Sequence, residues 1–370
     1  MIYFDAGATT LQKPERVRRA MYRAAAAMSS PGRGSYPATR LAEETDFRCR
    51  SLAAALFDVE DPACVVFTSS ATHGLNIAIK TLVKPGCRVV ISGYEHNAVT
   101  RPLHGIPNVE LTVIDAPLFR PESMLAEFEQ ALDAGADAVI CTHVSNVFGY
   151  RLPTEGIAAL CRRRGVPFVL DASQSAGMLP VSMRELGAAF IAMPGHKGLY
   201  GPQGTGLLLC GHEAQPLLEG GTGSQSLLQH MPQELPDHAE AGTQNVCGIC
   251  GLAAGLRFVQ QQTPQRLLAH EVRQRKLLTS LLTDVPGVRL FTGEPQSGTL
   301  SLCAAQMDCE TLAARLAVKG VCVRAGLHCA PLAHESAGTL ETGTVRFSLS
   351  AFNTEQEIFR TADLLKEILA

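Results

Sequence analysis

Residues 193–206 read MPGHKGLYGPQGTG and follow an apolar run, Ala188 to Met193, that is typical of a buried strand. The motif places one lysine, Lys197, after His196 in a glycine-rich turn. Glycine lets the backbone approach a bound group, and desolvation lowers the pKa of an ammonium so that the amine can act as nucleophile and base. Most lysines in such turns are solvated, so a surface lysine is the alternative for this motif alone.

A second segment, PFVLDASQSAG, spans residues 167–177. The run Pro167 to Leu170 predicts a buried strand that carries Asp171 at its carboxyl end. Ligands of open α/β sheets bind outside the carboxyl ends of the strands, and pyridoxal phosphate needs a carboxylate at its pyridinium nitrogen. A helix cap or a turn is the alternative role for Asp171. The combination with Lys197 favours a cofactor site.

The third segment, VVFTSSATHGLNIAIKTL, spans residues 65–82. It predicts a strand over Cys64 to Thr68 and a helix over Ala71 to Leu82. Ser70, Ala71 and Thr72 then lie at a helix N-terminus, where free N–H groups and the helix dipole favour an anion such as a phosphate. Plain capping by serine and threonine explains this segment equally well.

Strand-like runs alternate with helical patterns along most of the chain. This alternation predicts an α/β fold with a mostly parallel sheet covered on both faces by helices. We expect residues 15–255 to form this large domain. Residues 256–370, completed by residues 1–14, are expected to form a small α+β domain, and the active site would lie in the cleft between the two.

The order of phosphate turn, aspartate and lysine resembles the class V aminotransferases, pyridoxal-phosphate enzymes of fold type I, over nearly the whole chain. The opening YFDAGATT and the segments GYEHNAV and HVSNVFG are also similar to that family. The resemblance implies that His96 stacks on the cofactor ring and that Asn146 and Gln174 lie near its phenolic oxygen. It also implies that Lys197 forms the Schiff base and that His196 lies on the phosphate side.

The segment EAGTQN, residues 240–245, resembles the one whose threonine reaches the phosphate of the neighbouring subunit in the family's dimers. The resemblance therefore implies a homodimer with shared active sites. Thr243 would complete the partner's phosphate site beside Ser70, Ala71 and Thr72.

Residues 324–354, RAGLHCAPLAHESAGTLETGTVRFSLSAFNT, are most similar to the cysteine desulfurases and selenocysteine lyases. The resemblance implies that Cys329 takes the substrate sulfur and that Arg346, with Arg324 and Asn146, binds the substrate. A guanidinium suits a carboxylate because its fork of donors binds both oxygens. The short stretch between Cys329 and Arg346 resembles the SUF-type subgroup, which implies help from a sulfur-acceptor protein.

The chain has twelve cysteines, most of which we expect to be small buried residues. Cys247 and Cys250 form a CxxC without a second pair or histidines at metal spacing, so we predict no metal site. Cys329 differs because it follows His328 in a polar loop where a thiolate could be stabilised and exposed. An ordinary loop thiol is the alternative.

The predicted function is a pyridoxal-phosphate-dependent cysteine desulfurase that converts L-cysteine to L-alanine, using Lys197, Cys329 and His96. The persulfide formed on Cys329 would pass to an acceptor. A selenocysteine lyase acting on L-selenocysteine is the nearer alternative. A transaminase or epimerase, in which Cys329 has no role, is the more distant one.

The chain departs from the desulfurase pattern at several positions. Pro194 replaces a serine that contacts the phosphate, His73 follows Thr72, and the segment GGTGSQS around Gly221 lacks the usual central glutamine. These departures place the chain in a divergent branch.

The formal net charge is −3, and the sequence has no run of basic residues. No apolar stretch is long enough to span a bilayer, and we see no secretory signal. We therefore expect a cytoplasmic enzyme with neither a nucleic-acid nor a membrane partner. The unpatterned cysteines favour a reducing compartment.

Overall fold

The computed structural model describes all 370 residues. Its strands are β1 (Ile2–Tyr3), β2 (Val65–Thr68), β3 (Arg88–Ser92), β4 (Glu110–Ile114), β5 (Ala138–Thr142), β6 (Phe168–Asp171), β7 (Phe190–Pro194), β8 (Gly206–Cys210), β9 (Val288–Phe291), β10 (Thr299–Ala304), β11 (Val321–Cys322), β12 (Arg324–Gly326) and β13 (Thr344–Ser348). Its α-helices are α1 (Glu15–Ala27), α2 (Pro37–Phe57), α3 (Ala71–Leu82), α4 (Asn97–His104), α5 (Pro121–Asp133), α6 (Thr154–Arg164), α7 (Met183–Leu186), α8 (Val246–Gln262), α9 (Pro264–Leu282), α10 (Cys309–Val318), α11 (Pro331–Ser336) and α12 (Glu355–Leu369). None of these helices is both long and apolar enough to cross a membrane.

The central sheet has seven strands in the order β2-β8-β7-β6-β5-β3-β4. All neighbouring strands are parallel except β8, which runs antiparallel to both β2 and β7. Every residue of β5, β6 and β7 is buried, as expected for strands that are covered on both faces. The predicted mostly parallel α/β sheet is confirmed.

A second sheet has four antiparallel strands in the order β12-β13-β10-β9. The amino terminus belongs to this part of the molecule, because β1 pairs in parallel with β11 and Phe4 packs on Phe347 with ring centroids 6.2 Å apart. One apolar core joins Ile2 and Phe4 to residues between Leu278 and Leu365. The division into residues 15–255 and residues 256–370 with 1–14 stays a prediction.

The strand predicted over Cys64 to Thr68 begins one residue later than expected. Residues Pro62–Cys64 form a 3-10 turn, because the carboxylate of Asp61 accepts a hydrogen bond from the Ala63 N–H at 2.8 Å. Proline at the first position also favours a turn over a ladder strand.

Candidate cofactor and substrate site

The predicted cofactor residues meet at the carboxyl ends of β5, β6 and β7. They surround a cavity of about 90 Å³ beside the Lys197 turn. The predicted residues in its wall are Ser70, Ala71, Thr72, His96, Asn146, Asp171, Gln174, His196 and Lys197. Thr243, Arg324, Cys329 and Arg346 lie outside this wall.

Lys197 follows β7 in a turn that is closely packed against the rest of the site. A Cβ on Gly198 would lie 2.4 Å from the carbonyl oxygen of Ala176, so only glycine fits there. Desolvation lowers the pKa of Lys197 to about 8; Asp171 opposes this shift, and the positive charge of Arg346 adds to it. About a tenth of the amine is therefore neutral at pH 7, far more than for an ordinary lysine.

The carbonyl oxygen of His196 holds this turn in place. It accepts hydrogen bonds from the Thr10 N–H at 3.1 Å, the Thr10 hydroxyl at 2.9 Å and the Lys13 ammonium at 3.0 Å. Burial lowers the pKa of Lys13 to about 8. Sequence reasoning missed Lys13, because its partner lies 183 positions away along the chain.

His196 itself lines the cavity. Burial lowers its pKa to about 4, with further lowering by Lys197 and Lys13. Its Nδ1 is buried and has no hydrogen-bond partner in the protein.

Asp171 ends β6 and is only 2% exposed. Its Oδ1 accepts one hydrogen bond, from the Ser173 N–H at 2.9 Å. No lysine, arginine or histidine forms an ion pair with it in the structure. A buried carboxylate without a cation is costly, so the site is suited to a ligand with a protonated nitrogen.

His96 caps the N-terminus of α4. Its Nδ1 accepts a hydrogen bond from the Ala98 N–H at 3.0 Å, which fixes the tautomer with hydrogen on Nε2. Burial lowers its pKa to about 4; Asp171 opposes the shift and Lys197 adds to it. The imidazole is therefore neutral at physiological pH.

The predicted phosphate turn forms the start of α3. The Ser70 hydroxyl caps the helix by accepting from the His73 N–H at 3.2 Å, and Ala71 and Thr72 lie in the first turn. The His73 ring accepts from the Ser69 N–H at 3.3 Å. His73, a departure from the family pattern, therefore occupies one backbone donor of the turn.

Thr243 lies in the wall of a separate cavity of about 520 Å³, which also reaches Ser70 and Thr72 of the same chain. The segment that carries Thr243 is fixed by Glu240. Glu240 forms a bidentate ion pair with Arg50 at 2.7 Å for both oxygens. This pair is another feature that sequence reasoning missed.

Cys329 is exposed in the loop between β12 and α11. The loop backbone is unusual, because His328 and Cys329 both have positive φ, 51° and 57°. Its carbonyl groups are held by residues that follow β3 and β5: the Asn97 N–H donates to the carbonyl of Cys329 at 2.7 Å, and the Asn146 amide donates to that of His328 at 2.8 Å. The Arg324 Nη2 lies 3.5 Å from the Cys329 sulfur.

Arg346 is only 1% exposed and its guanidinium is already engaged. Its Nη2 pairs with Asp5 at 2.6 Å, and its Nη1 donates to the carbonyl of Asn146 at 2.9 Å. Its Nε is buried without a partner. A Cβ on Gly7 would lie 3.2 Å from the Arg346 Cζ, so this glycine keeps the approach to the guanidinium open.

The turn that carries Lys197 and the buried Asp171 line one cavity at the carboxyl edge of a mostly parallel sheet. This arrangement is typical of α/β enzymes that bind a cofactor. Residues 2–360 match the model of the class V aminotransferases, and the chain belongs to this family. Within it the chain falls among the cysteine desulfurases. It is 31% identical to a probable cysteine desulfurase of Methanothermobacter thermautotrophicus, over 99% of this chain and 94% of that protein.

Two further similar proteins are also named cysteine desulfurases. A probable cysteine desulfurase of Mycolicibacterium paratuberculosis is 32% identical over 97% of this chain, which spans about half (54%) of that longer protein. The apo structure of the cysteine desulfurase from Thermococcus onnurineus NA1 is 29% identical and matches with a TM-score of 0.92, over 100% of this chain and 94% of that one. The predicted type I fold of pyridoxal-phosphate enzymes is thereby confirmed.

Proposed function

We propose that the protein converts L-cysteine to L-alanine and holds the removed sulfur as a persulfide on Cys329, from which an acceptor protein takes it. The exposed thiol of Cys329 carries this proposal. His96 lines both the cavity around Lys197 and the groove that contains Cys329. A substrate bound at Lys197 can therefore present its sulfur toward Cys329.

The residues present fit pyridoxal phosphate. Asp171 is a buried carboxylate that lacks a cation, and the first turn of α3 offers N–H groups to an anion. When bound, the cofactor supplies an electron sink for a carbanion at the substrate Cα. Lys197 and the face of His96 would hold it between these two ends, with Asn146 and Gln174 near its phenolic oxygen.

Lys197 supplies the base for the reaction. Its amine, with a pKa lowered to about 8 by desolvation, is available in the neutral form to take the substrate α-proton. Asp171 would pair with the ring nitrogen of the bound cofactor and favour its protonated form. The hydrogen bonds from Thr10 and Lys13 to the His196 carbonyl hold the base in position.

Cys329 carries out the sulfur step. Its thiolate attacks the substrate sulfur, an S–S bond forms and the Cβ–S bond breaks. The carbon fragment takes one proton at Cβ, recovers one at Cα from the Lys197 ammonium, and leaves as alanine. Arg324, 3.5 Å from the Cys329 sulfur, places a positive charge where the anion attacks.

Arg346 would recognise the substrate carboxylate; its unpaired Nε and the absence of a side chain at Gly7 support this role. The ion pair with Asp5 fixes the plane of the guanidinium. A carboxylate at this edge would orient the amino group toward Lys197.

A single turnover of the purified holoenzyme with L-cysteine tests the proposal. We expect one alanine per site and a mass gain of one sulfur on the peptide containing Cys329. Cys329→Ser should keep the cofactor absorbance and lose the sulfur gain, whereas Cys87→Ser, at another partly exposed cysteine, should retain both products. Alanine without added sulfur, with faster turnover of L-selenocysteine, would indicate a selenocysteine lyase instead. A keto acid or racemised product would overturn the proposal.

A further inference from the structure

Cys329 lies at one end of an open groove that runs along α4. The groove has a volume of about 460 Å³, whereas the cavity around Lys197 has about 90 Å³. The eight residues of α4 extend about 12 Å, since an α-helix rises 1.5 Å per residue. The groove is therefore much longer than one amino acid.

The charges along this groove have one sign. Lys80 and Arg101 line it, and no aspartate or glutamate does. Both side chains are exposed, and neither forms an ion pair in the structure. Arg324 adds a third positive charge at the Cys329 sulfur. The groove is thus positive although the whole chain has a net charge of −3.

A positive groove would favour the transfer of sulfur from the Cys329 persulfide to an acceptor. An acceptor thiolate attacks the outer sulfur of the Cys329 persulfide, a new S–S bond forms, and the old S–S bond breaks to leave Cys329 as a thiolate. Electrons balance without an external oxidant. Anionic sulfurs must come together in this exchange, and nearby cations reduce their repulsion.

We propose that the groove between α3 and α4 docks an acidic segment of the sulfur-accepting protein, with carboxylates against Lys80 and Arg101 and the accepting thiol at Cys329. The inference rests on the proposed function and specifies its partner. Complementary charge steers association and fixes the docked orientation. A small free thiol would occupy only the end of the groove at Cys329 and would leave Lys80 and Arg101 unengaged.

The test uses two synthetic peptides with a single cysteine, one flanked by glutamates and the other by glutamines. The holoenzyme is first loaded with one sulfur from L-cysteine, and peptide persulfide is then followed by mass spectrometry. At low salt we expect the glutamate peptide to accept sulfur about tenfold faster than the glutamine peptide. At about 0.5 M salt the advantage should disappear through screening.

The double variant Lys80→Glu/Arg101→Glu should lose this advantage while its turnover with dithiothreitol stays at the level of the unmodified protein. Lys84→Glu is the matched control, because Lys84 is an exposed cation just beyond the end of α3 and outside the groove lining. It should keep most of the advantage.

Equal rates for the two peptides, or an undiminished advantage in the double variant, would overturn the inference. A change of oligomeric mass in the double variant, measured by light scattering, would do the same, because the groove would then be an interface between copies. Failure of the proposed function is seen separately, as absence of alanine and of sulfur on Cys329 before any peptide is added.

Discussion

At the scale of single residues, desolvation of the Lys197 amine determines how the apoprotein should take up its cofactor. The neutral amine is the nucleophile, and burial lowers the pKa of Lys197 to about 8. The rate of pyridoxal-phosphate uptake should therefore rise with pH around 8 and level off above 9, instead of rising up to the ordinary lysine pKa near 10.5.

Stopped-flow absorbance of the apoprotein mixed with pyridoxal phosphate measures this profile. Lys197→Ala should show no covalent uptake and no turnover. Lys276→Ala, at an exposed lysine paired with Glu294, is the control and should leave the profile unchanged. A midpoint above about 10 would contradict the desolvated state of the amine.

His96 offers a second prediction, because it is neutral at physiological pH with a pKa lowered to about 4 by burial. If the ring acts by stacking on the cofactor, His96→Ala should weaken pyridoxal-phosphate binding about two- to tenfold, and His96→Phe should restore most of the loss. Equilibrium dialysis gives both affinities. The control is His104→Phe, at a histidine of α4, which should leave the affinity for pyridoxal phosphate unchanged. An equal loss of affinity in His96→Ala and His96→Phe would contradict stacking and would indicate that the ring N–H binds the cofactor.

At the scale of secondary-structure elements, the Arg50–Glu240 pair joins α2 to the segment before α8. The side chains of Arg50 and Glu240 are 10% and 4% exposed, and Glu240 also accepts from the Phe67 N–H of β2 at 2.6 Å. Breaking a buried pair leaves an uncompensated charge, so Glu240→Gln should lower the free energy of unfolding by about 3 kcal/mol.

Denaturant titration measures this loss. Arg184→Gln is the matched control, because the Arg184–Asp58 pair is mostly exposed, with side chains 74% and 38% accessible. Its loss should stay below about 1 kcal/mol. Comparable losses in the two variants would show that the Glu240 segment is held by other contacts.

Local patterns predicted most of the elements well. The bounds of α3 agree with the sequence prediction because this helix is a continuous amphipathic run between polar turns. The antiparallel direction of β8 was not predicted, since its apolar run looks the same in either direction. Contacts such as Asp5 with Arg346, 341 positions apart, leave no local signal and could not be predicted without the fold.

At the scale of the whole molecule, the resemblance implies a homodimer in which Thr243 serves the partner's phosphate site. Within one chain, however, Thr243 shares a cavity with Ser70 and Thr72. Co-expression of Lys197→Ala and Thr243→Ala chains distinguishes the two arrangements, provided that each variant alone is strongly impaired.

If Thr243 acts across the interface, one site of each hybrid dimer is intact, and about a quarter of the sites should be active under random pairing. If Thr243 acts within its own chain, every site has a defect and activity does not recover. Co-expression of two Lys197→Ala chains with different affinity tags is the inactive control, and light scattering of the same samples reports whether dimers form.

The first strand has a consequence for biosynthesis. β1 pairs with β11 near the far end of the chain, and the residues after it reach Arg346 and the Lys197 turn. Translation proceeds from the amino terminus, so β1 is synthesised long before its partner strand β11. It therefore stays unpaired until nearly all of the polypeptide has emerged from the ribosome. We expect a ribosome-bound chain lacking the last 50 or so residues to be unable to complete the active site. A bulky fusion at Met1 should slow maturation more than one at Ala370.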